Sequence, residues 1–210
     1  MQANFEKKEI MNKNSYTQVY SNISQKDLLK ILNDQVEEQL YTVKNEFLEL
    51  SDESLLARPE ASKWNILECI EHLNRYCAFY IPHIEIVTNQ NEKSGKNFQS
   101  GWLGTKFTQM MSPENIKPQK TVKHMDTSDA LVNKNTLLVF IAWQQRLFKA
   151  INELKNTDLN KRKIPVEFFK MLKLKTGDIL QFLIMHQQRH ILQALDKKDK
   201  LKSSEVQINI

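Results

Sequence analysis

Leu29, Leu32, Val36, Leu40, Val43, Phe47 and Leu50 recur at spacings of 3 and 4. Apolar side chains at that rhythm fall on one face of an α-helix, and the stripe needs a partner surface to cover it. Arg58-Pro59 ends any continuation. A second helix is predicted from Asn65, where Asn65 and Glu68 have the spacing of a capping box. Its stripe runs Ile66, Ile70, Leu73, Cys77, Tyr80, Ile84, Val87, and Pro82 is expected to kink it or split off its end. A third helix is predicted from about Ser128, with Leu137, Ile141, Phe148 and Ile151 on one face. Thr176 is placed as the cap of a fourth, running to about Leu195. Only 4 Gly and 5 Pro interrupt 210 residues. The predicted fold is therefore all-α, a four-helix bundle with two long connections, 88–127 and 155–175.

The first connection holds Gly95, Gly101, Gly104, Pro113 and Pro118. It is still apolar, with Phe98, Trp102, Leu103, Phe107, Met110 and Met111 able to form a short helix over one end of the core. An apolar connection of this length reads as a lid or pocket wall. Residues 1–22 read as a polar arm, 23–196 as the bundle domain and 197–210 as a basic, polar tail. The net charge is +5, but the lysines thicken only at Lys197, Lys198, Lys200 and Lys202 and are not interleaved with aromatics. That argues against a nucleic-acid surface and for a solvated end. No run reaches the roughly 18–20 apolar residues of a membrane span. The start MQANFEKKEIMNKN lacks the apolar stretch of a secretory leader, so a cytoplasmic location is expected. Cys69 and Cys77, about 12 Å apart along one helix, cannot bridge and are expected to stay reduced.

On the fourth helix the apolar stripe continues Ile179, Leu183, His186, His190, Ala194, so two histidines stand where the pattern asks for leucine. Residues four apart share a helical face, and buried imidazoles need a partner for each ring nitrogen. One metal ion could serve both; a chance pair of ordinary core residues is the alternative. His72 lies on the flank of the second helix's stripe, on the side of Cys69, Tyr76 and Phe79, and suits a hydrogen-bonded or surface role as well as a ligand's. His83 is too far along the helix to share an ion with it. His124 sits in an irregular basic stretch, and Cys69 reads as a small buried hydrophobe. Gln187 stands where the H-E-x-x-H motif of zinc proteases has its general-base glutamate. Glu68, one turn before His72, is the remaining catalytic candidate. Arg189 and Trp102 are the candidates for substrate contact, and Asp178 suits the start of its helix through the dipole.

The segments WNILECIEHL (64–73) and HQQRHILQ (186–193) resemble the two signatures of the DinB-like (DinB/YfiT) family: a Trp followed by E-x-x-x-H-L on the second helix, and His-x-x-x-His near the end of the fourth. The resemblance spans most of residues 25–196. It implies that His72, His186 and His190 hold one divalent ion, commonly zinc or nickel, in a bundle that is frequently a homodimer. Some relatives are thiol-dependent S-transferases or isomerases using bacillithiol or mycothiol. The expectation is thus a metal-dependent transferase joining a small-molecule thiol to an electrophile. A metal-dependent hydrolase at the same site, or a non-enzymatic metal-binding stress-response protein, are the rival readings. The resemblance leaves open what 88–127 and the N-terminal arm contribute.

Overall fold

The computed structural model describes residues 18–88, 95–117, 119–128 and 130–208. Its helices are α1 (Gln25–Phe47), α2 (Asp52–Leu56), α3 (Ile66–Thr88), α4 (Trp102–Met111), α5 (Asn135–Glu153) and α6 (Thr176–Ile208). Two antiparallel strand pairs join them: β1 (Asn22–Ser24) with β2 (Asn97–Gln99), and β3 (Arg162–Val166) with β4 (Phe169–Lys175). The four long helices form the bundle. α1 and α3 each pack on both α5 and α6, so the first two long helices of the chain face each other across a diagonal.

The stripe of α1 buries Leu28, Leu29, Leu32, Val36, Val43 and Phe47. Leu40 is only half-buried, and Gln39 takes the interior beside it, donating to the Ile184 carbonyl at 2.9 Å. On α5 the interior side chains are Leu137, Phe140, Gln144, Leu147 and Ile151, whereas Ile141 and Phe148 sit at the edge. α5 begins at Asn135 rather than near Ser128. The amide of Asn135 is bound by the Asn133 side chain at 2.9 Å, a local turn that sets the entry to the helix.

α3 runs unbroken through Pro82. Proline removes one helical hydrogen bond and clashes with the preceding turn, at a cost of about 3 kcal/mol. Tyr80, Ile81, Ile84 and Val87 are all buried around it. At about 1.5–3 kcal/mol for each large apolar side chain, packing outweighs the break. The helix therefore does not split.

The connection 155–175 contains a β-hairpin, not irregular chain. Ile164, Val166 and Leu174 enter the core, and Val166 pairs with Phe169 across the Glu167-Phe168 turn. Pro165 sits in β3 opposite Lys173, in a two-stranded ribbon where an edge proline is tolerated. The end of the N-terminal arm is also tied down. Tyr20 exchanges two backbone bonds with the Gln181 amide, at 2.8 and 3.2 Å.

α6 extends well past Leu195, and the basic stretch is helical rather than a loose tail. Lys198 is buried against Glu46 of α1, and Lys200 bridges Glu60 and Asp196 at 2.9 Å each. Every residue from Thr176 to Gln187 is buried, because α4 covers the side of α6 that α1 and α3 leave open.

That close approach depends on Gly104. A β-carbon there would lie 2.1 Å from Cγ of Asp178. Asp178 in turn accepts from the Ser100 hydroxyl at 2.5 Å and the Gly101 amide at 3.1 Å, pinning the start of α4 to α6. Gly104→Ala is therefore expected to destabilise the protein by about 1–3 kcal/mol through overpacking. Asp178→Ala in the same chain should cost less than the two single losses combined. Denaturant unfolding checks both, and a Gly104→Ala protein as stable as wild type would refute the steric account.

Among the described residues no helix is long and apolar enough to cross a membrane.

Candidate metal centre

The first turns of α3 are held by a reciprocal cap. The Asn65 amide donates to Glu68 Oε2, and the Glu68 amide to Asn65 Oδ1, both at 2.8 Å. Arg58 donates to the other carboxylate oxygen of Glu68 at 2.5 Å. The Thr127 hydroxyl bonds the Glu68 carbonyl at 2.9 Å, and Arg75 bonds the Asp126 carbonyl at 2.6 Å. Loop 123–127 is thereby docked along α3. Its Met125 carbonyl meets Nδ1 of His72 at 2.8 Å. A carbonyl can only accept, so Nδ1 is assigned the proton and Nε2 of His72 presents its lone pair to the interior.

Across from it, α6 supplies His186 and His190 one turn apart. Nε2 of His186 lies 3.2 Å from Nε2 of His72 and 3.0 Å from Nε2 of His190. All three residues are buried. Packing holds the second pair: Phe182 stacks on His186 at 5.9 Å, Tyr76 lies 4.4 Å from the same ring, and Trp64 stands 4.8 Å from His72 and 5.8 Å from His190. Trp64 is itself anchored by its indole N–H on the Ser128 hydroxyl at 3.0 Å.

This donor set fits a divalent cation. Metal–nitrogen bonds of about 2.0–2.1 Å at tetrahedral angles place two imidazole nitrogens about 3.3 Å apart. The two Nε2 separations are close to that, and the three ligand atoms lie within 4.8 Å of one another. Among the described residues, Nδ1 of His186 and Nδ1 of His190 have no hydrogen-bond partner. Three imidazoles crowded nitrogen to nitrogen satisfy each other poorly, whereas a shared cation engages every Nε2. Burial lowers the His72 pKa to about 4, despite the opposing bond from Met125. It drives His186 and His190 well below the usual histidine value, helped by the neighbouring imidazoles and Arg189. The rings are neutral at pH 7, as ligands must be.

The cluster forms the floor of a cavity of about 510 Å³, walled by Trp64, Tyr76, Met111 and residues 119–121. Burial pushes the Tyr76 phenol up to about 12, so it remains a hydrogen-bond donor. Tyr76 follows His72 by four residues; that spacing was the available signal for it as a site residue. The segment 88–127 supplies wall through Met111 and residues 119–121.

Other candidates lie elsewhere or are otherwise engaged. Both carboxylate oxygens of Glu68 carry partners, and Glu68 is not on the cavity wall. Trp102 is 74% exposed, under the Lys106 ammonium, and is also off the wall. Arg189 does line the cavity, but its guanidinium donates to the carbonyls of Ser112 at 3.0 Å and Asn115 at 2.8 Å. It clamps the loop that carries Gln119–Thr121. The Gln187 amide points to the Cys77 sulfur at 3.2 Å. Cys69 lines the cavity, but burial lifts its thiol to about 11, so it is no thiolate at neutral pH. His83 bonds the Phe79 carbonyl at 2.7 Å, and His124 pairs with Glu167 of the hairpin turn.

The fold resembles that of a solved Bacillus subtilis protein, YfiT, described as a probable metal-dependent hydrolase with an unusual four-helix bundle topology. The TM-score is 0.50 at 11% identity, over 83% of this chain and 87% of that one. A search of curated proteins finds no match. The sequence profile of the DinB superfamily matches residues 24–194, which include all three histidines, the capping box and the walls described above. With the bundle and the match agreeing over that length, the chain belongs to the DinB superfamily.

Proposed function

We propose that this protein is a metal-dependent enzyme whose His72, His186 and His190 hold one divalent ion, zinc or nickel, and that it transfers a small-molecule thiol to an electrophile. The supporting observation is the convergence of three neutral Nε2 atoms on the floor of an open cavity. An ion bound by three uncharged ligands supplies its full positive charge at an open position, where it favours the deprotonated form of a thiol or a water.

The rest of the cavity favours the thiol. Its carboxylates are Glu60 and Asp196, both bonded to Lys200. Both are held by that ammonium, whereas an attacking water needs a free general base more than a thiolate does. The thiolate sulfur attacks an electrophilic carbon, an S–C bond forms, and the leaving group takes the electron pair. The Met125 carbonyl keeps the His72 ring in one tautomer, while Trp64 and Tyr76 pack against the histidine rings and fix their orientation. Hydrolysis at the same site is the second reading, favoured by the description of YfiT as a probable metal-dependent hydrolase.

The test is a thiol and electrophile screen on zinc- and nickel-loaded protein, before and after chelation. Turnover that needs both the metal and an added thiol is the expected result. Metal-dependent cleavage of ester or amide probes, indifferent to thiol, would favour hydrolysis. Activity surviving complete metal removal would overturn both.

A further inference from the structure

Five cationic side chains line the cavity, Lys63, Lys120, Arg189, Lys197 and Lys200, against two carboxylates, Glu60 and Asp196. The charges are not evenly matched. Lys200 bonds both carboxylates at 2.9 Å. Arg189 is directed to backbone carbonyls. That leaves Lys63, Lys120 and Lys197, none of which makes an ion pair with a carboxylate within 4.0 Å among the described residues.

These three come from separate parts of the chain. Lys63 immediately precedes Trp64, the indole beside His72, on a turn closed by the Lys63 amide to the Glu60 carbonyl at 2.9 Å. Lys197 lies two turns beyond His190 on α6, its ammonium on the Gln193 carbonyl at 3.1 Å. Lys120 belongs to the loop held in place by Arg189. Lys63 and Lys120 are exposed and Lys197 is half-buried, and positive charges along one concave wall add to a common field at its mouth. A purely apolar or cationic substrate would gain nothing from this wall.

We propose that the cavity contains an anion subsite in which Lys63, Lys120 and Lys197 receive a carboxylate or phosphate group of the substrate, while the reactive end of that substrate reaches the three histidines. The subsite rests on the reading of this cavity as a substrate pocket. It adds the substrate class, a small acidic molecule, and the residues that select it.

The experiment titrates zinc-loaded protein calorimetrically with 2-mercaptoethanol, 3-mercaptopropionate and mercaptosuccinate, which differ in carboxylate number. Succinate and inorganic phosphate, which lack a thiol, are titrated into zinc-loaded and metal-free protein. The expected result is affinity rising with charge, roughly tenfold across the thiol series at low salt and less at high salt. The triple variant Lys63→Gln, Lys120→Gln, Lys197→Gln should flatten the series while its metal content stays at the wild-type level. Equal binding of neutral and acidic thiols, or a preference that survives in the triple variant, would overturn the subsite. If no thiol binds, the thiol reading fails but the subsite is still decided. Succinate or phosphate binding to wild type and not to the variant supports it, and whichever binds identifies the group; binding of neither refutes it.

Discussion

His186→Leu is expected to lower bound metal from about one ion per chain to less than about a tenth of one, and at the same time to make the metal-free protein more stable. The two effects have one cause. His186 occupies a leucine position in the stripe Leu183, His186, His190, buried and packed among Phe182, Tyr76 and the other two imidazoles. Its Nδ1 has no partner among the described residues, and without a cation its Nε2 faces only the other two imidazoles. Leaving a buried polar atom unsatisfied costs about 1–3 kcal/mol. Leucine removes that penalty and fills a similar volume, and each kcal/mol gained should raise the melting temperature of a chain this size by about 2–4 °C. His190→Leu should behave alike. Elemental analysis gives the first quantity and calorimetry of the metal-free proteins the second. Retention of metal by both variants would refute the site. A metal-free His186→Leu protein less stable than wild type would mean that these imidazoles are satisfied in a way the geometry does not account for.

The metal-free protein should also lose stability steeply in mild acid. In the unfolded chain the three imidazoles titrate near the ordinary histidine value of about 6.5, whereas in the native state burial holds His72 near 4 and the other two well below that ordinary value. Below pH 6.5 the unfolded chain therefore binds more protons than the folded one, and unfolding is favoured as pH falls. Their contribution is fully present above the unfolded value. It is lost progressively as pH drops below about 6.5, through about 4 for His72, and likewise for His186 and His190, whose native values are also lowered. Each histidine adds up to about 1.4 kcal/mol per pH unit to the slope, so the three together reach about 4. Urea midpoints from pH 8 to 5 would measure this, and His186→Leu should remove about a third of the slope. An unchanged slope in that variant would show that other groups control the acid transition.

The long helices were legible because periodicity is a local property. A stripe such as Leu29, Leu32, Val36 depends on neighbours one turn away. The Asn65–Glu68 cap was legible for the same reason, and its two reciprocal bonds form as the spacing requires. Errors arose where packing overrode local preference. Pro82 stays helical because four buried side chains surround it. The hairpin 162–175 was obscured by Pro165 and by alternation too short to stand out. The lysines of 197–202 read as solvated until Glu46, Glu60 and Asp196 were placed beside Lys198 and Lys200.

The candidate site divides the same way. His186 and His190 were recognisable as a pair from four-residue spacing, and their place in an apolar stripe marked them as interior. His72 gave no such signal by itself, since its flanking position suits several roles; only the resemblance in its motif singled it out. Glu68 and Arg189 were reasonable candidates by proximity in sequence. What engages them, Arg58 and the carbonyls of Ser112 and Asn115, lies in loops whose paths no local pattern specifies.

By itself, then, the sequence determined the helices, one cap and a two-histidine face, all set by contacts within about one or two turns. The tertiary structure decided that α3 lies against α6, which brings His72 within 3.2 Å of a residue 114 positions away. It also decided which lysines ring the cavity and which are neutralised. Those outcomes depend on the packing of whole faces and on chain reversals through long connections, where many small energies compete and no short-range spacing records the result.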